Sequence, residues 1–135
     1  MSAPAPKRPR VLLVHPVSST CRLIRESLEH FCDADVETCA DARRGFELAL
    51  QREHQIYLFG LTLAPMDGPL LYELINTAYS HCHAGRLIAP AVVYIADKDQ
   101  KVDEEFASDA RVKGVLKKPI NIERLLRLTA RSLGQ

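Results

Sequence analysis

Five short apolar runs punctuate the chain: Val11-Leu12-Leu13-Val14, Val36 to Ala40, Ile56 to Phe59, Ala91 to Ala96, and Val115-Leu116. Each is rich in β-branched or aromatic residues and bounded by turn formers, which predicts strands. Three of them are apolar on successive residues, the mark of strands buried on both faces of a parallel sheet. Helical periodicity fills the gaps. Leu23, Ile24, Ser27, Leu28 and Phe31 form one face of a helix that Ser18 or Ser19 would cap. Asp41 would cap a second, facing inward through Ala42, Gly45, Phe46, Ala49 and Leu50. Asp67 would cap a third, with Pro69 in its first turn and Leu71, Leu74, Ile75 and Ala78 inward. A fourth, thinly apolar helix is predicted over about Gln100 to Ala110, through Val102, Phe106 and Ala110. A fifth starts near Asn121 and shows Ile122, Leu125, Leu126 and Thr129.

Five βα units in succession predict an α/β, doubly wound fold: an open parallel sheet with helices on both faces. Ligands in such sheets sit outside the carboxyl ends of the strands. The residues that decide function are therefore those at the strand ends: His15-Pro16, Gly60, Ile95-Ala96 and Lys118-Pro119.

Composition narrows the class. The chain has 135 residues, 47% hydrophobic and 26% charged, which suits one domain with a proper core. A net charge of +1 gives no broad field for nucleic acid. No run is long enough to span a bilayer, so membrane insertion is not expected. MSAPAPKRPR has basic residues and prolines but no apolar stretch after them, unlike a secretory signal. Residues 1–9 are read as a flexible lead-in and 10–135 as the domain. The four cysteines show no C-x-x-C spacing, and reduced thiols in a cytoplasm are the expected state.

Several segments resemble the receiver domain of bacterial response regulators, in order and over nearly the whole length. RVLLVHPVSSTCRLIRESLE is similar to its first strand and helix, and VETCADARRGFELAL to its second pair. MDG with PLLYELI resembles the signature after strand three, APAVVYIAD resembles strand four, and GVLKKPI resembles strand five with its Lys-Pro. The resemblance implies a flavodoxin-like (βα)5 sandwich with strand order 2-1-3-4-5. It also implies phosphoryl transfer from a histidine kinase to an aspartate at the end of strand three. In the family, two acids after strand one help to hold Mg²⁺, and a Thr or Ser and a Lys bind the phosphoryl oxygens.

Carried over position by position, the acidic pair falls on His15 and Pro16. The phosphoacceptor, six residues before Met66, falls on Gly60. The Thr or Ser falls on Ile95, the aromatic switch position on Val115, and the Lys on Lys118. Only the lysine is kept. Acyl-phosphate formation needs a carboxylate nucleophile, and Gly60 has none. Mg²⁺ needs hard oxygen ligands, which Pro16 lacks and which imidazole replaces poorly. With neither metal nor hydroxyl, Lys118 alone would face the developing phosphoryl charge. No catalytic residue, metal or cofactor is therefore expected. The emptied pocket is expected to be filled by a neighbour such as His15, read as a plug and not as a nucleophile.

The chain thus reads as a pseudo-receiver: a phosphorylation-independent protein–protein interaction module in bacterial signalling or cell organisation. A protein partner, or a second copy in a homodimer, is expected on a surface of Lys113, Val115, Lys117, Arg124 and Arg127, beside an acidic group of Asp97, Asp99, Asp103, Glu104, Glu105 and Asp109. The segment SHCHAGRLIA lengthens the connection after helix three and is a second candidate surface. The alternative is a sensor of small anions or nucleotides in the rebuilt pocket near Lys118. A flavodoxin-like electron carrier is a further rival, weakened by the missing glycine of a flavin phosphate loop. Ser18-Ser19-Thr20 is read as helix capping in preference to an anion loop. Cys21 is read as a plain thiol, and His81-Cys82-His83 as too few ligands for a metal.

Overall fold

A computed structural model describes residues 8–102 and 105–134. Asp103 and Glu104, and the lead-in as far as residue 7, lie outside the described residues. Strands β1 (Arg10–Val14), β2 (Asp35–Cys39), β3 (Ile56–Gly60), β4 (Ala91–Ala96) and β5 (Val112–Lys117) alternate with helices α1 (Ser18–Cys32), α2 (Ala42–Gln51), α3 (Gly68–Cys82), α4 (Glu105–Ser108) and α5 (Ile122–Ala130). All pairings are parallel, in the order β2-β1-β3-β4-β5. This is the doubly wound order expected from the sequence.

The continuous apolar runs have their physical reason in two cores. On one face Leu12, Val14, Tyr57, Phe59, Val92 and Tyr94 pack against α2 and α3. On the other Val11, Leu13, Ile56, Leu58, Val93 and Ile95 pack with Ile24, Leu28 and Leu125. Every residue of β3 is buried. Each large side chain so covered contributes roughly 1.5–3 kcal/mol. Aromatic rings organise the first core. Tyr57 stacks on Phe59 with centroids 5.0 Å apart, and meets Tyr72 edge-on at 6.2 Å. Tyr72 donates its hydroxyl proton to the Pro90 carbonyl at 2.6 Å, and Tyr94 lies 5.0 Å from Phe106. Burial pushes the Tyr72 phenol up to about 12, and those of Tyr57 and Tyr94 higher still.

Three caps are where the sequence places them. Asp41, Asp67 and Asn121 accept the backbone N–H of Arg44, Leu70 and Arg124 at 2.9, 2.8 and 3.0 Å. The expected cap of α1 is not. The helix already includes Ser18, its cap position is Val17, and no side chain caps it. Just before it, His15 Nδ1 accepts the Val17 N–H at 3.1 Å.

Helix faces also differ in detail from the pattern. Leu23 and Phe31 of α1, and Leu74 of α3, are exposed. Thr20, Cys32, Leu48, Tyr72 and Tyr79 are buried instead. The buried stripes of α1 and α3 are thus displaced from the faces that the apolar positions mark. The predicted fourth helix is reduced to Glu105–Ser108, although Val102 and Phe106 still pack on the core. β5 is longer than its two-residue apolar core, because backbone pairing with β4 carries Val112, Gly114 and Lys117 along, with Lys113 left unpaired in the register. A register shift sits between Val92 and Val93.

Candidate functional site

The crevice lies at the carboxyl ends of β1, β3, β4 and β5. Gly60 is the last residue of β3, paired with Ile95 of β4. The chain turns there at once: Leu61 donates its N–H to the Ile95 carbonyl at 2.9 Å, and Gly68 donates its own to the Leu61 carbonyl at 3.0 Å. The closure is so tight that a Cβ on Gly68 would stand 2.2 Å from the Gly60 carbonyl oxygen. This explains the glycine of Met66-Asp67-Gly68: α3 starts against the backbone of β3, where no side chain fits.

The space above Gly60 is occupied. A Cβ built on it would lie 3.2 Å from Cδ2 of His15 and 3.2 Å from Cδ2 of Leu63. His15 is 6% exposed and held at three points. Its N–H donates to the Cys39 carbonyl at 3.0 Å, its carbonyl accepts from Cys21 Sγ at 3.3 Å, and its Nδ1 accepts from Val17. That last bond fixes the neutral tautomer with its proton on Nε2. The ring therefore offers no free lone pair for nucleophilic attack. Burial, then the charge of Lys118, holds the imidazole below its ordinary pKa. His15 and Leu63 thus pack side by side against Gly60.

The other predicted positions divide. Lys118 reaches the crevice, where its Nζ lies 3.6 Å from Asp97 Oδ1. Pro16 is exposed at the rim and offers no side-chain ligand atom. Ile95 does not face the crevice: its side chain is buried in the core against α1 and α5. Asp67 is turned to its own helix as a cap. Asp97 is the crevice acid that position-by-position transfer did not assign. It is the first residue after β4, and its N–H is held by Gln100 Oε1 at 3.1 Å. Gln100 in turn donates to Thr62 Oγ1 at 2.9 Å, tying the loop after β4 to the loop after β3. The Asp97…Gln100 spacing was the visible signal for that turn.

A cavity of about 510 Å³ opens beside the plug, lined by His15, Ser18, Ser19, Arg22, Arg25 and Thr38 among others. Cys21 and Cys39 border it, and burial raises both thiols, Cys39 to about 12. At Cys21 burial outweighs the helix start, so neither sulfur is an activated thiolate. The His81-Cys82-His83 segment is pulled apart: His83 Nε2 bonds the Ala49 carbonyl at 2.8 Å, whereas His81 and Cys82 are exposed. Among the described residues no cluster of His, Cys, Asp or Glu could hold a metal ion. Among them, too, no helix is long and apolar enough to cross a membrane.

Solved structures share this architecture. A signal receiver domain from Vibrio parahaemolyticus superposes with a TM-score of 0.77 at 24% identity, covering 95% of this chain and 92% of that one. A sensor protein from Polaromonas sp. JS666 gives 0.77 at 23% identity, over 95% and 98% of the two chains. The chain has the receiver fold. The chemotaxis response regulator CheY4 of Vibrio cholerae gives 0.72 at 20% identity, over 94% of this chain and all of that one. No family model and no curated protein matches the chain.

Proposed function

We propose that this chain is a pseudo-receiver, a phosphorylation-independent interaction module acting in the cytoplasm in bacterial signalling or cell organisation. The observation that carries the reading is the packing at Gly60. Where the resemblance places an acceptor carboxylate there is only backbone, and His15 and Leu63 fill the space beside it. The lysine that would bind a phosphoryl group is close to Asp97 instead. A module so built works by presenting a surface, without catalysing transfer.

The surface formed by β5 and α5 is the one this reading uses. Lys113, Lys117, Arg124 and Arg127 are exposed around the half-buried Val115. Arg124 Nη2 donates to the Val115 carbonyl at 3.4 Å, which orients one guanidinium along the strand. Among the described residues, Lys113, Lys117 and Arg127 hold no ion pair. The neighbouring acids are partly spent: Asp97 faces Lys118, and Asp109 is clasped by Arg111 at 2.9 Å. The face is therefore net basic and suits a protein partner with an acidic surface.

The test adds Mg²⁺ with acetyl phosphate or beryllofluoride and follows backbone amide spectra. Unchanged resonances at Gly60, Leu61, Asp97 and Lys118 are expected. Saturable shifts at those strand ends would overturn the reading. Co-purification from the native cell supplies the positive arm, with a bound protein that is lost in Lys117→Glu and Arg124→Glu.

A further inference from the structure

The far end of the sheet carries a second concave site, and it is basic. A hollow of about 550 Å³ opens under the amino ends of β1 and β3, beside the tail of α5. Its size falls within the range of about 300–1,000 Å³ in which small-molecule sites lie. Arg8, Arg10 and Arg52 line it, with Gln55 and Ser132. The basic run that opens the domain thus meets the turn between α2 and β3, a conjunction invisible in the linear sequence.

Two of the three arginines keep an acidic neighbour that lies outside the lining, at long range. Arg8 Nε lies 3.5 Å from Asp33, and Arg52 Nη1 lies 3.5 Å from Glu37, both longer than a tight charge-assisted bond. The Arg10 guanidinium has no partner among the described residues. Glu53, the one carboxylate among the lining residues, is held by Arg86 Nε at 2.9 Å. Gln55 takes the Arg10 backbone N–H on its Oε1, leaving its amide nitrogen to donate. Three arginines, an amide and a hydroxyl thus line one hollow in which Glu53 is the one carboxylate. Planar guanidinium forks match phosphate oxygens two at a time.

We infer that this hollow binds a small phosphate-bearing anion, gripped by Arg8, Arg10 and Arg52. The site is independent of the crevice and of the interaction role proposed above. It lies at the opposite end of the strands and shares no residue with the face of β5 and α5.

The test titrates the full chain with inorganic pyrophosphate at constant ionic strength and follows backbone amides. Saturable shifts at Arg10, Gln55 and Gly134 are expected. Arg10→Gln and Arg52→Gln should each weaken binding about tenfold or more, the loss of one charge-assisted contact. Lys118→Gln should leave it unchanged. A parallel titration with ATP distinguishes the source: tighter binding than pyrophosphate identifies a nucleotide, equal binding a free polyphosphate. Shifts that are absent, that sodium chloride reproduces, that centre on the crevice, or that survive Arg10→Gln would overturn the assignment. Unchanged amide dispersion in the variants establishes that they fold.

Discussion

Placing an aspartate at Gly60 tests the packing of the crevice directly. The first added atom, Cβ, stands 3.2 Å from two carbon atoms, Cδ2 of His15 and Cδ2 of Leu63, and 3.4 Å from the Thr62 carbonyl oxygen. Carbon atoms prefer roughly 3.5–4.0 Å, so both neighbours must retreat by a few tenths of an ångström. The His15 ring cannot retreat freely, since its Nδ1 is bonded to the Val17 N–H and its backbone is held by Cys39 and Cys21. Overpacking of this kind costs about 1–3 kcal/mol. Loss of unfolded-chain entropy returns about 0.4–1 kcal/mol, so Gly60→Ala should destabilise by about 1 kcal/mol. Gly60→Asp adds a carboxylate beside a neutral imidazole and a lysine already facing Asp97, and should cost about 2–4 kcal/mol in all. At roughly 3–5 °C per kcal/mol for a chain of this size, Tm falls by roughly 6–20 °C. The assay is urea and thermal unfolding of parent, Gly60→Ala and Gly60→Asp, each with EDTA and with millimolar Mg²⁺. Intact mass after acetyl phosphate treatment completes it. Mg²⁺ should rescue neither variant, and no phosphoryl group should be retained. An aspartate variant as stable as the parent, stabilised further by Mg²⁺ and phosphorylated, would refute the reasoning.

Three further outcomes follow from the same packing. Gly68→Ala drives a methyl group into the Gly60 carbonyl and should cost about 2–4 kcal/mol by urea unfolding, more than Gly60→Ala despite the same added atoms. Tyr57→Phe should be neutral or stabilising by up to about 1 kcal/mol, because the buried Tyr57 hydroxyl has no hydrogen-bond partner among the described residues. A loss above about 2 kcal/mol would show that the hydroxyl is satisfied. Burial holds His15 and His54 below the ordinary 6.5 in the folded chain, so below that pH the unfolded chain takes up protons that the native state refuses. Stability should therefore be full above pH 6.5 and fall on acidification, by up to about 1.4 kcal/mol per pH unit for each histidine, with His15→Gln and His54→Gln flattening the profile.

The architecture was legible because burial on both faces writes itself as unbroken apolar runs, and β1, β3 and β4 carry them. Asp41, Asp67 and Asn121 were legible as caps because each immediately precedes its helix and bonds locally. The α1 start was not: the atom that receives the Val17 N–H belongs to a histidine two residues earlier, which no capping pattern includes. Exposure of Leu23 and Phe31 depends on how far the sheet reaches across α1, a tertiary quantity. At the crevice, the closeness of His15 to Gly60 could be read from their places at the ends of neighbouring strands. Leu63 as the second neighbour could not, since a loop residue's direction follows from the closure between Gly60 and Gly68. The lysine was foreseen and its counter-charge was not, because Asp97 is adjacent to Lys118 only through the pairing of β4 with β5.

The ring column of the first core gives the molecule a built-in optical reporter. The chain contains no tryptophan and four tyrosines, so its near-ultraviolet absorbance belongs to phenols. Tyr57, Tyr72 and Tyr94 are enclosed and resist ionisation. In alkali the phenolate band of these three should emerge together with loss of the fold, so one absorbance trace records the opening of the sheet's aromatic side.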